Sequence, residues 1–208
     1  MKYTFILLLF AYTCIGQVQT IRHLKYTTRF DTQKHYAVRV DWWLTRDMLV
    51  CPVPYPRAEG FSPDPLSTTV TDINRDYIGS GYDRGHNMSA EDNRCSGRGM
   101  AESFYFSNVS PQHPILNRGI WKELEEHIRV QASKDDSLRI SSGAFGEITR
   151  IKSLTVPAYW WKVIYNKRHK LTTAYLFRND ASTAIGKLED FRISIPELEQ
   201  KTGLKFAQ

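Results

Sequence analysis

The sequence predicts an α+β fold centred on an antiparallel sheet, and three patterns lead to that class. Apolar and polar residues alternate over residues 35–44, which is the period of a half-buried strand. Apolar side chains recur at helical spacing over residues 117–132. After this helix, strand-like segments return at residues 138–145, 159–165 and 172–177. One helix between groups of strands is typical of the α+β class.

The first strand and the segment after it differ sharply in composition. Val40 and Trp42 fall on one side of the predicted strand, and Arg39 and Asp41 fall on the other. Residues 51–82 are rich in Pro, Ser, Asp and Gly, which predicts a long surface segment. Long segments of this kind in compact domains tend to carry function.

The central helix is the best supported helical element. Ile120, Leu124 and Ile128 are spaced to share one face, and Trp121 lies beside them, where packing in the core is expected. The polar run at residues 133–136 should end this helix. A second, shorter helix is predicted over residues 194–201, because Pro196 lies near its start and Gly203 just beyond its end.

The N-terminal residues have the pattern of a secretory signal peptide. Lys2 precedes an apolar run at residues 5–11, and small residues come just before Gln17. We therefore expect a signal peptide at residues 1–16, one domain over residues 17–208, and a secreted or periplasmic protein. Acylation of Cys14 in a lipoprotein is the less favoured alternative. The run is too short for a transmembrane anchor.

Removal of this peptide would leave two cysteines, Cys51 and Cys95. In an exported protein such a pair forms a disulfide or remains as two buried thiols, and the sequence does not decide between them. The formal net charge of +6 is compatible with a polyanionic partner. The sequence contains no dinucleotide-binding fingerprint, P-loop or zinc-ligand spacing.

The block from residue 57 to residue 125 contains the groups that phosphodiester hydrolysis requires. A neutral histidine such as His86 can accept a proton from water, because its ordinary pKa lies near neutral pH. The amide oxygen of Asn117 is an acceptable ligand for Mg²⁺, and Glu125 can hold metal-bound water from the same helix face. Arg57 in the surface segment can fold over a phosphate.

Each of these residues also has an ordinary structural interpretation. Asn117 before a helix is by default an N-cap, and Glu125 within a helix is by default a solvated side chain. Asp83 in a glycine-rich segment commonly forms a turn. Taken singly, the structural interpretation is favoured in each case, and only the spacing of the whole set favours catalysis.

That spacing resembles a known family. The runs YDRGHNMSAED and FYFSNVSPQHPILNRGIWKELE are similar to those of the DNA/RNA non-specific endonucleases, which carry a ββα-metal finger. PRAEGFSPDP at residues 56–65 resembles the family's arginine segment and marks Arg57. LTVPAYWWKVIY and PELEQKTGLKF resemble later family elements, so the similarity extends over nearly the whole chain after the predicted signal peptide.

The resemblance implies roles for seven residues. His86 would be the general base, Asn117 the one direct protein ligand of Mg²⁺, and Glu125 the residue that orients metal-bound water. The roles implied for the others are transition-state stabilisation by Arg57, substrate binding by Arg84 and Arg118, and support of the site by Asp83. The resemblance further implies an antiparallel sheet with a ββα-metal finger, Mg²⁺ as cofactor with Mn²⁺ as a substitute, DNA and RNA as substrates, and products with 5′-phosphate ends.

Two alternatives to an endonuclease stay open at this point. The chain could be a catalytically silent module that binds nucleic acid, although His86, Asn117, Glu125 and Arg57 are all present. It could also be a phosphodiesterase that acts on small nucleotides. The oligomeric state, the preference for DNA or RNA and the biological role do not follow from the sequence.

Overall fold

A computed structural model of the chain describes residues 18–69 and 73–206, so the predicted signal peptide and Cys14 lie outside the described residues. Eleven strands are found within this part of the chain: β1 Val18–Arg22, β2 Tyr26–Asp31, β3 Tyr36–Thr45, β4 Asp83–His86, β5 Val109–Gln112, β6 Ser137–Phe145, β7 Thr149–Ile151, β8 Leu154–Val156, β9 Tyr159–Asn166, β10 Leu171–Arg178 and β11 Arg192–Ile193. The helices are α1 Arg46–Leu49, α2 Asn74–Tyr77, α3 Gly97–Ser103, α4 Pro114–Arg118, α5 Ile120–Asp135 and α6 Ile195–Thr202.

Seven strands form one antiparallel sheet in the order β1-β2-β3-β6-β9-β10-β11. The predicted α+β class is therefore confirmed, and the four strands predicted in this sheet begin and end within one residue of β3, β6, β9 and β10. Two short ribbons stand apart from the sheet, namely β4 with β5 and β7 with β8. The β4–β5 ribbon carries the DRGH sequence.

Helix α5 packs across one face of the sheet and supplies the main core. Ile120, Leu124 and Ile128 are buried against sheet residues that include Val40 and Ile140, as the helical spacing predicts. Each such side chain contributes roughly 1.5–3 kcal/mol through removal of apolar surface from water. Packing on the sheet thereby fixes the position of the polar side of α5, which faces the β4–β5 ribbon.

A smaller core covers the opposite face of the sheet. Leu198 of α6 and Phe206 are buried with Trp161, Val163 and Ala174. Ser194 caps the start of helix α6, since its side chain accepts a hydrogen bond from the backbone N–H of Glu197, and Gly203 in the left-handed region caps its end. Within the described part of the chain, no helix is long and apolar enough to cross a bilayer.

Two expectations about local structure are wrong. The DRGH sequence at Asp83–His86 is a strand rather than the turn that Asp83 in a glycine-rich segment commonly forms, because its backbone pairs with β5. Asn117 does not begin the central helix but lies in the separate helix α4. The break falls at Gly119, where an added Cβ would lie 2.6 Å from the carbonyl oxygen of Ile115, so only glycine fits this bend.

The sequence left the pairing of the cysteines open, and in the structure Cys51 and Cys95 form a disulfide. This bond joins Cys51, at the start of the long surface segment, to Cys95, which lies two residues after the 3-10 turn Ala90–Asn93. The backbone N–H of Tyr55 also donates a hydrogen bond to the carbonyl oxygen of Arg94. The segment that carries Arg57 is thus anchored beside that turn.

Replacing both Cys51 and Cys95 with serine should lower the free energy of unfolding by about 2–4 kcal/mol, because the cross-link restricts the unfolded chain. The two residues are 44 positions apart, so the loop released is substantial. Urea denaturation of the oxidised wild type and the double variant measures the change. Wild type treated with a dithiol reductant is the matched control and should resemble the variant; equal stability of all three samples would contradict a stabilising bridge.

Candidate active site

A cleft of about 760 Å³ lies between the β4–β5 ribbon, helices α4 and α5, and the long surface segment. Six basic side chains and three carboxylates line it. The basic residues are Arg57, Arg84, Arg94, Arg118, Lys122 and Arg129, and the carboxylates are Glu91, Glu125 and Glu126. His86 and Asn117 also line the cleft. The structure therefore brings together six of the seven predicted residues, namely His86, Asn117, Glu125, Arg57, Arg84 and Arg118.

His86 ends strand β4, opposite Val109 of β5. Gly85 precedes it because the side chain of Gln112 lies directly over the ribbon, and an added Cβ at Gly85 would be 2.3 Å from the Gln112 Oε1 atom. The imidazole packs between two rings, with centroid distances of 5.2 Å to Phe61 and 5.0 Å to Phe104. These contacts fix the ring at the wall of the cleft.

The electrostatic surroundings of His86 favour its neutral form. Burial lowers the pKa of His86 to about 3, and the charges of Arg57 and Lys162 act in the same direction. The Nε2 atom is buried and has no hydrogen-bond partner among the described residues. A histidine of this kind is uncharged at neutral pH and can accept a proton.

Asn117 is oriented by hydrogen bonds at both ends of α4. His113 caps the helix, since its Nδ1 atom accepts a hydrogen bond from the backbone N–H of Ile115. The Asn117 Nδ2 atom donates to Asp83 Oδ2 over 2.9 Å. Of the described side chains, none donates a hydrogen bond to Asn117 Oδ1, so this oxygen is available to a cation.

Asp83 links the ribbon to α4. Besides its bond from Asn117, it accepts two hydrogen bonds from Arg118, at 2.8 Å from Nε and 2.5 Å from Nη2. Burial opposes ionisation of Asp83, but these bonds outweigh it and hold the pKa of this carboxyl below its usual value. A charged Asp83 is a good acceptor, and it determines which way the Asn117 amide faces.

Glu125 lies on helix α5, which follows the helix that carries Asn117, and its side chain is only 15% exposed. The predicted spacing from Asn117 assumed one continuous helix, which the break at Gly119 rules out, yet both residues still line the cleft. Over residues 18–69 and 73–206, no three His, Cys, Asp or Glu side chains converge as a protein-ligated metal would require. A cation here would therefore depend on oxygen atoms such as Asn117 Oδ1, together with water, which is the coordination that Mg²⁺ tolerates.

The three predicted arginines differ in how strongly they are already engaged. Arg57 is 54% exposed, pairs with Glu91 at 3.1 Å, and lies over the Phe104 ring at 5.3 Å. Arg84 donates two hydrogen bonds of 2.8 Å to Asn74. Arg118 is 72% exposed and bound to Asp83. Arg57 therefore has the most freedom to reach a ligand.

Arg84 is held further by an aromatic contact, since its guanidinium lies 4.9 Å from the centroid of the Tyr77 ring. Two of its donors and one face are thus occupied within the protein. Its predicted substrate contact is correspondingly limited to the remaining N–H groups at the edge of the cleft.

Sequence reasoning missed several charged residues of the site. Lys122 and Arg129 line the cleft from α5, three positions before and four after Glu125, so helical spacing from Glu125 could have identified them. Lys162, which is buried on β9 at 3.7 Å from Glu125, falls within the run LTVPAYWWKVIY that resembles the family, but no spacing in the sequence connects it with Glu125. Asp92, also missed, is buried, and burial raises its pKa to about 6 although Arg129 partly offsets this.

Comparison with known proteins identifies the family and the fold. A sequence model of the DNA/RNA non-specific endonuclease family matches residues 8–208. A chain from a crystal structure of the EndoG/EndoGI complex superposes with a TM-score of 0.80 and 25% identity, covering 92% of this chain and 86% of that chain. The predicted fold is therefore confirmed by a solved structure as well as by the strand order.

Curated relatives are nucleases. The mitochondrial nuclease EXOG of Homo sapiens is 32% identical over 167 residues, which cover 70% of this chain and 45% of the relative. The mitochondrial endonuclease G of Homo sapiens is 31% identical over 151 residues, covering 64% of this chain and 50% of the relative. This chain spans about half the length of the curated relatives it matches.

These relatives correct one expectation. Because EXOG, endonuclease G and a mitochondrial nuclease of Saccharomyces cerevisiae are all mitochondrial proteins, the expectation of a secreted or periplasmic location is wrong. The family model matches residues 8–208, which is nearly the whole chain. On the extent of that match and the agreement in fold, the chain belongs to the DNA/RNA non-specific endonuclease family.

Proposed function

We propose that this chain is a Mg²⁺-dependent endonuclease that hydrolyses phosphodiester bonds in DNA and RNA and leaves 5′-phosphate ends. One observation carries the proposal: a neutral histidine, an amide oxygen that accepts no hydrogen bond from the described side chains, a half-buried glutamate and an exposed arginine face one basic cleft. The relatives that are nucleases support the same reaction class.

His86 acts as the general base. Its imidazole is neutral and held between Phe61 and Phe104, so it is ready to accept the proton that a water molecule loses as it attacks phosphorus. Arg57 is exposed at the cleft mouth and can exchange Glu91 for a phosphoryl oxygen, where its planar fork suits the developing negative charge.

The residues of α4 and α5 fit a divalent cation. Asn117 would bind it directly through Oδ1, because Asp83 already holds the amide nitrogen, and Glu125 would hold water around it. When bound, such a cation neutralises charge on the phosphoryl oxygens and lowers the barrier by several kcal/mol. Mn²⁺ has the same preference for oxygen ligands and should substitute for Mg²⁺.

Low sequence specificity follows from the composition of the cleft. Six basic side chains can contact phosphates, and phosphate contacts give affinity without reading the bases. A site that recognises phosphate, cation and water has no requirement for the 2′-hydroxyl group. We therefore propose both DNA and RNA as substrates.

A covalently closed plasmid tests the proposal, because it has no ends and only an endonuclease can linearise it. The expected result with Mg²⁺ is nicking, then linear DNA and short fragments whose 5′ ends accept a new phosphate only after phosphatase treatment. Binding without cleavage would favour a silent binding module. Faster turnover of a small chromogenic diester than of long DNA would favour a nucleotide phosphodiesterase.

The pKa of His86 makes a separate prediction about pH. Because this pKa is about 3, His86 stays neutral as the pH falls from 7 to 5, and its protonation should not limit kcat/KM for DNA in that range at saturating Mg²⁺. For a histidine with the reference pKa of about 6.5, the neutral fraction would instead fall roughly 25-fold between pH 7 and pH 5. A pH profile of kcat/KM measures the difference.

The histidine resonances in nuclear magnetic resonance spectra give an independent control for this prediction. His86 is assigned as the signal that is missing from the His86→Ala spectrum, and its shift should be constant from pH 7 to pH 5. A midpoint near 6.5 for that signal would contradict the electrostatic description of the site.

A further inference from the structure

Lys162 is a buried charge directly beneath the candidate active site. It lies on β9, between Trp161 and Val163, and its side chain is only 1% exposed. The Nζ atom is 3.7 Å from Glu125 Oε1 and 4.1 Å from the centroid of the Trp121 ring. The ammonium group therefore lies between the sheet and helix α5, on the side of the helix that faces the cleft.

A lysine in this position requires a physical reason. Burial of an ammonium group is strongly unfavourable unless an opposite charge or hydrogen bonds compensate it. Among the described carboxylates, Glu125 alone lies within 4.0 Å of the Lys162 Nζ atom. The aromatic faces of Trp121 and Trp42 add a weaker attraction, at 4.1 and 5.8 Å.

The second buried carboxylate nearby is occupied by other partners. Asp92 accepts a hydrogen bond of 3.2 Å from the Trp42 indole N–H and one of 3.4 Å from Arg129. Arg129 in turn donates to Ser89. These groups occupy Asp92 through hydrogen bonds. Lys162 also interacts with Asp92 through its charge, but its strongest charge interaction and its ion pair within 4.0 Å are with Glu125.

We propose that Lys162 is a positioning residue, which holds the Glu125 carboxylate at the floor of the cleft in the orientation needed to retain water beside Asn117. This inference rests on the proposed function. Glu126, the next residue of α5, shows the alternative placement of a glutamate side chain, because it extends to the surface and is 55% exposed, whereas Glu125 is 15% exposed. Without Lys162, Glu125 would have the same access to solvent-facing rotamers.

Lys162→Met tests the role, because methionine is unbranched, similar in length and uncharged. Mn²⁺ binding in the absence of nucleic acid, measured by calorimetry, should weaken by about 10–100-fold, the usual effect of losing a partner that orients a metal-site group. The Mg²⁺ concentration for half-maximal DNA cleavage should rise by the same order. Circular dichroism monitors folding.

Lys201→Met is the matched control. Lys201 forms an ion pair of 3.8 Å with Glu197 on α6, but both side chains are about half exposed and lie outside the cleft. This variant should bind Mn²⁺ and cleave DNA as the wild type does. A folded Lys162→Met protein with unchanged Mn²⁺ binding would overturn the inference.

A double-variant cycle separates positioning from simple stability. If Lys162 acts through Glu125, adding Lys162→Met to Glu125→Gln should change Mn²⁺ affinity and kcat by less than about 2-fold, because no Glu125 carboxylate is left to position. Independent roles would instead give the product of the two single losses. This comparison also applies if the single methionine variant does not fold, because the double variant removes both charges together. A further large loss in the double variant would contradict positioning.

The same assays separate this inference from the proposed function. Wild-type protein that fails to cleave DNA with Mg²⁺ would refute the proposed function, and the Mn²⁺ titrations would still test Lys162. If the wild type is active and the losses of the Lys162→Met and Glu125→Gln variants add in the double variant, the positioning role is refuted and the proposed function is not.

Discussion

Replacing His86 with alanine should lower kcat for both plasmid DNA and RNA by about 10²–10⁴-fold, the usual contribution of a general base. In the proposed mechanism the ring is the proton acceptor at the wall of the cleft, and its pKa of about 3 keeps it neutral. KM should change little, because the phosphate contacts come from the basic side chains rather than from the imidazole. Steady-state cleavage of a labelled duplex measures both parameters.

His127→Ala is the control for this variant. His127 is exposed on α5 and does not line the cleft, so its loss should leave kcat within the error of the assay. Cleavage by the His86→Ala protein at the wild-type rate would remove His86 from the mechanism. Equal losses in both would indicate that the effect is on folding.

Replacing Asn117 with alanine should have the second large effect, a fall in kcat on the order of 10³-fold. The amide oxygen is the direct protein ligand in the proposed site, and a bound cation contributes several kcal/mol to stabilisation of the transition state. The variant should also require much more Mg²⁺ for its residual activity. Cleavage rates across a Mg²⁺ titration measure both effects.

Ile115→Ala controls for changes in α4, because Ile115 lies on the same short helix and is 43% exposed. The variant keeps the backbone N–H that donates a hydrogen bond to His113 Nδ1. Its Mg²⁺ dependence should match the wild type. If Asn117→Ala instead kept both its rate and its Mg²⁺ dependence, the cation would have to be held by other atoms.

The sheet and the central helix were predictable because their signals are local. Alternation over residues 35–44 corresponds to β3, and the apolar spacing of Ile120, Leu124 and Ile128 corresponds to the buried face of α5. The division of the helical region at Gly119 was not predictable, because it depends on contact between Gly119 and the Ile115 carbonyl group. The strand at Asp83–His86 likewise depends on pairing with β5, 23 or more residues away.

The candidate site was predictable only in part. Its main residues came from motif spacing and resemblance, and the structure brings His86, Asn117, Glu125 and Arg57 to one cleft. The supporting contacts are formed between distant segments, as with Lys162 and Glu125. Such contacts leave no periodic pattern in the sequence, because the partners come from different elements.

The location of the protein shows a different limit of sequence reasoning. An apolar N-terminal run after Lys2 has the composition of a secretory signal, yet the curated relatives are mitochondrial nucleases. Composition alone therefore gave the wrong compartment, whereas the chemical inference depended on side chains of the cleft and did not require the compartment to be known.

The central claim is that this cleft hydrolyses nucleic acid with the help of a divalent cation. The most direct measurement is digestion of closed plasmid and of single-stranded RNA by wild-type protein in Mg²⁺, after chelation, and after Mg²⁺ is restored. We expect that both substrates are cut, that chelation stops cleavage, and that Mg²⁺ restores it. Cleavage undiminished in chelator, or intact plasmid and RNA with Mg²⁺ present, would contradict the central claim.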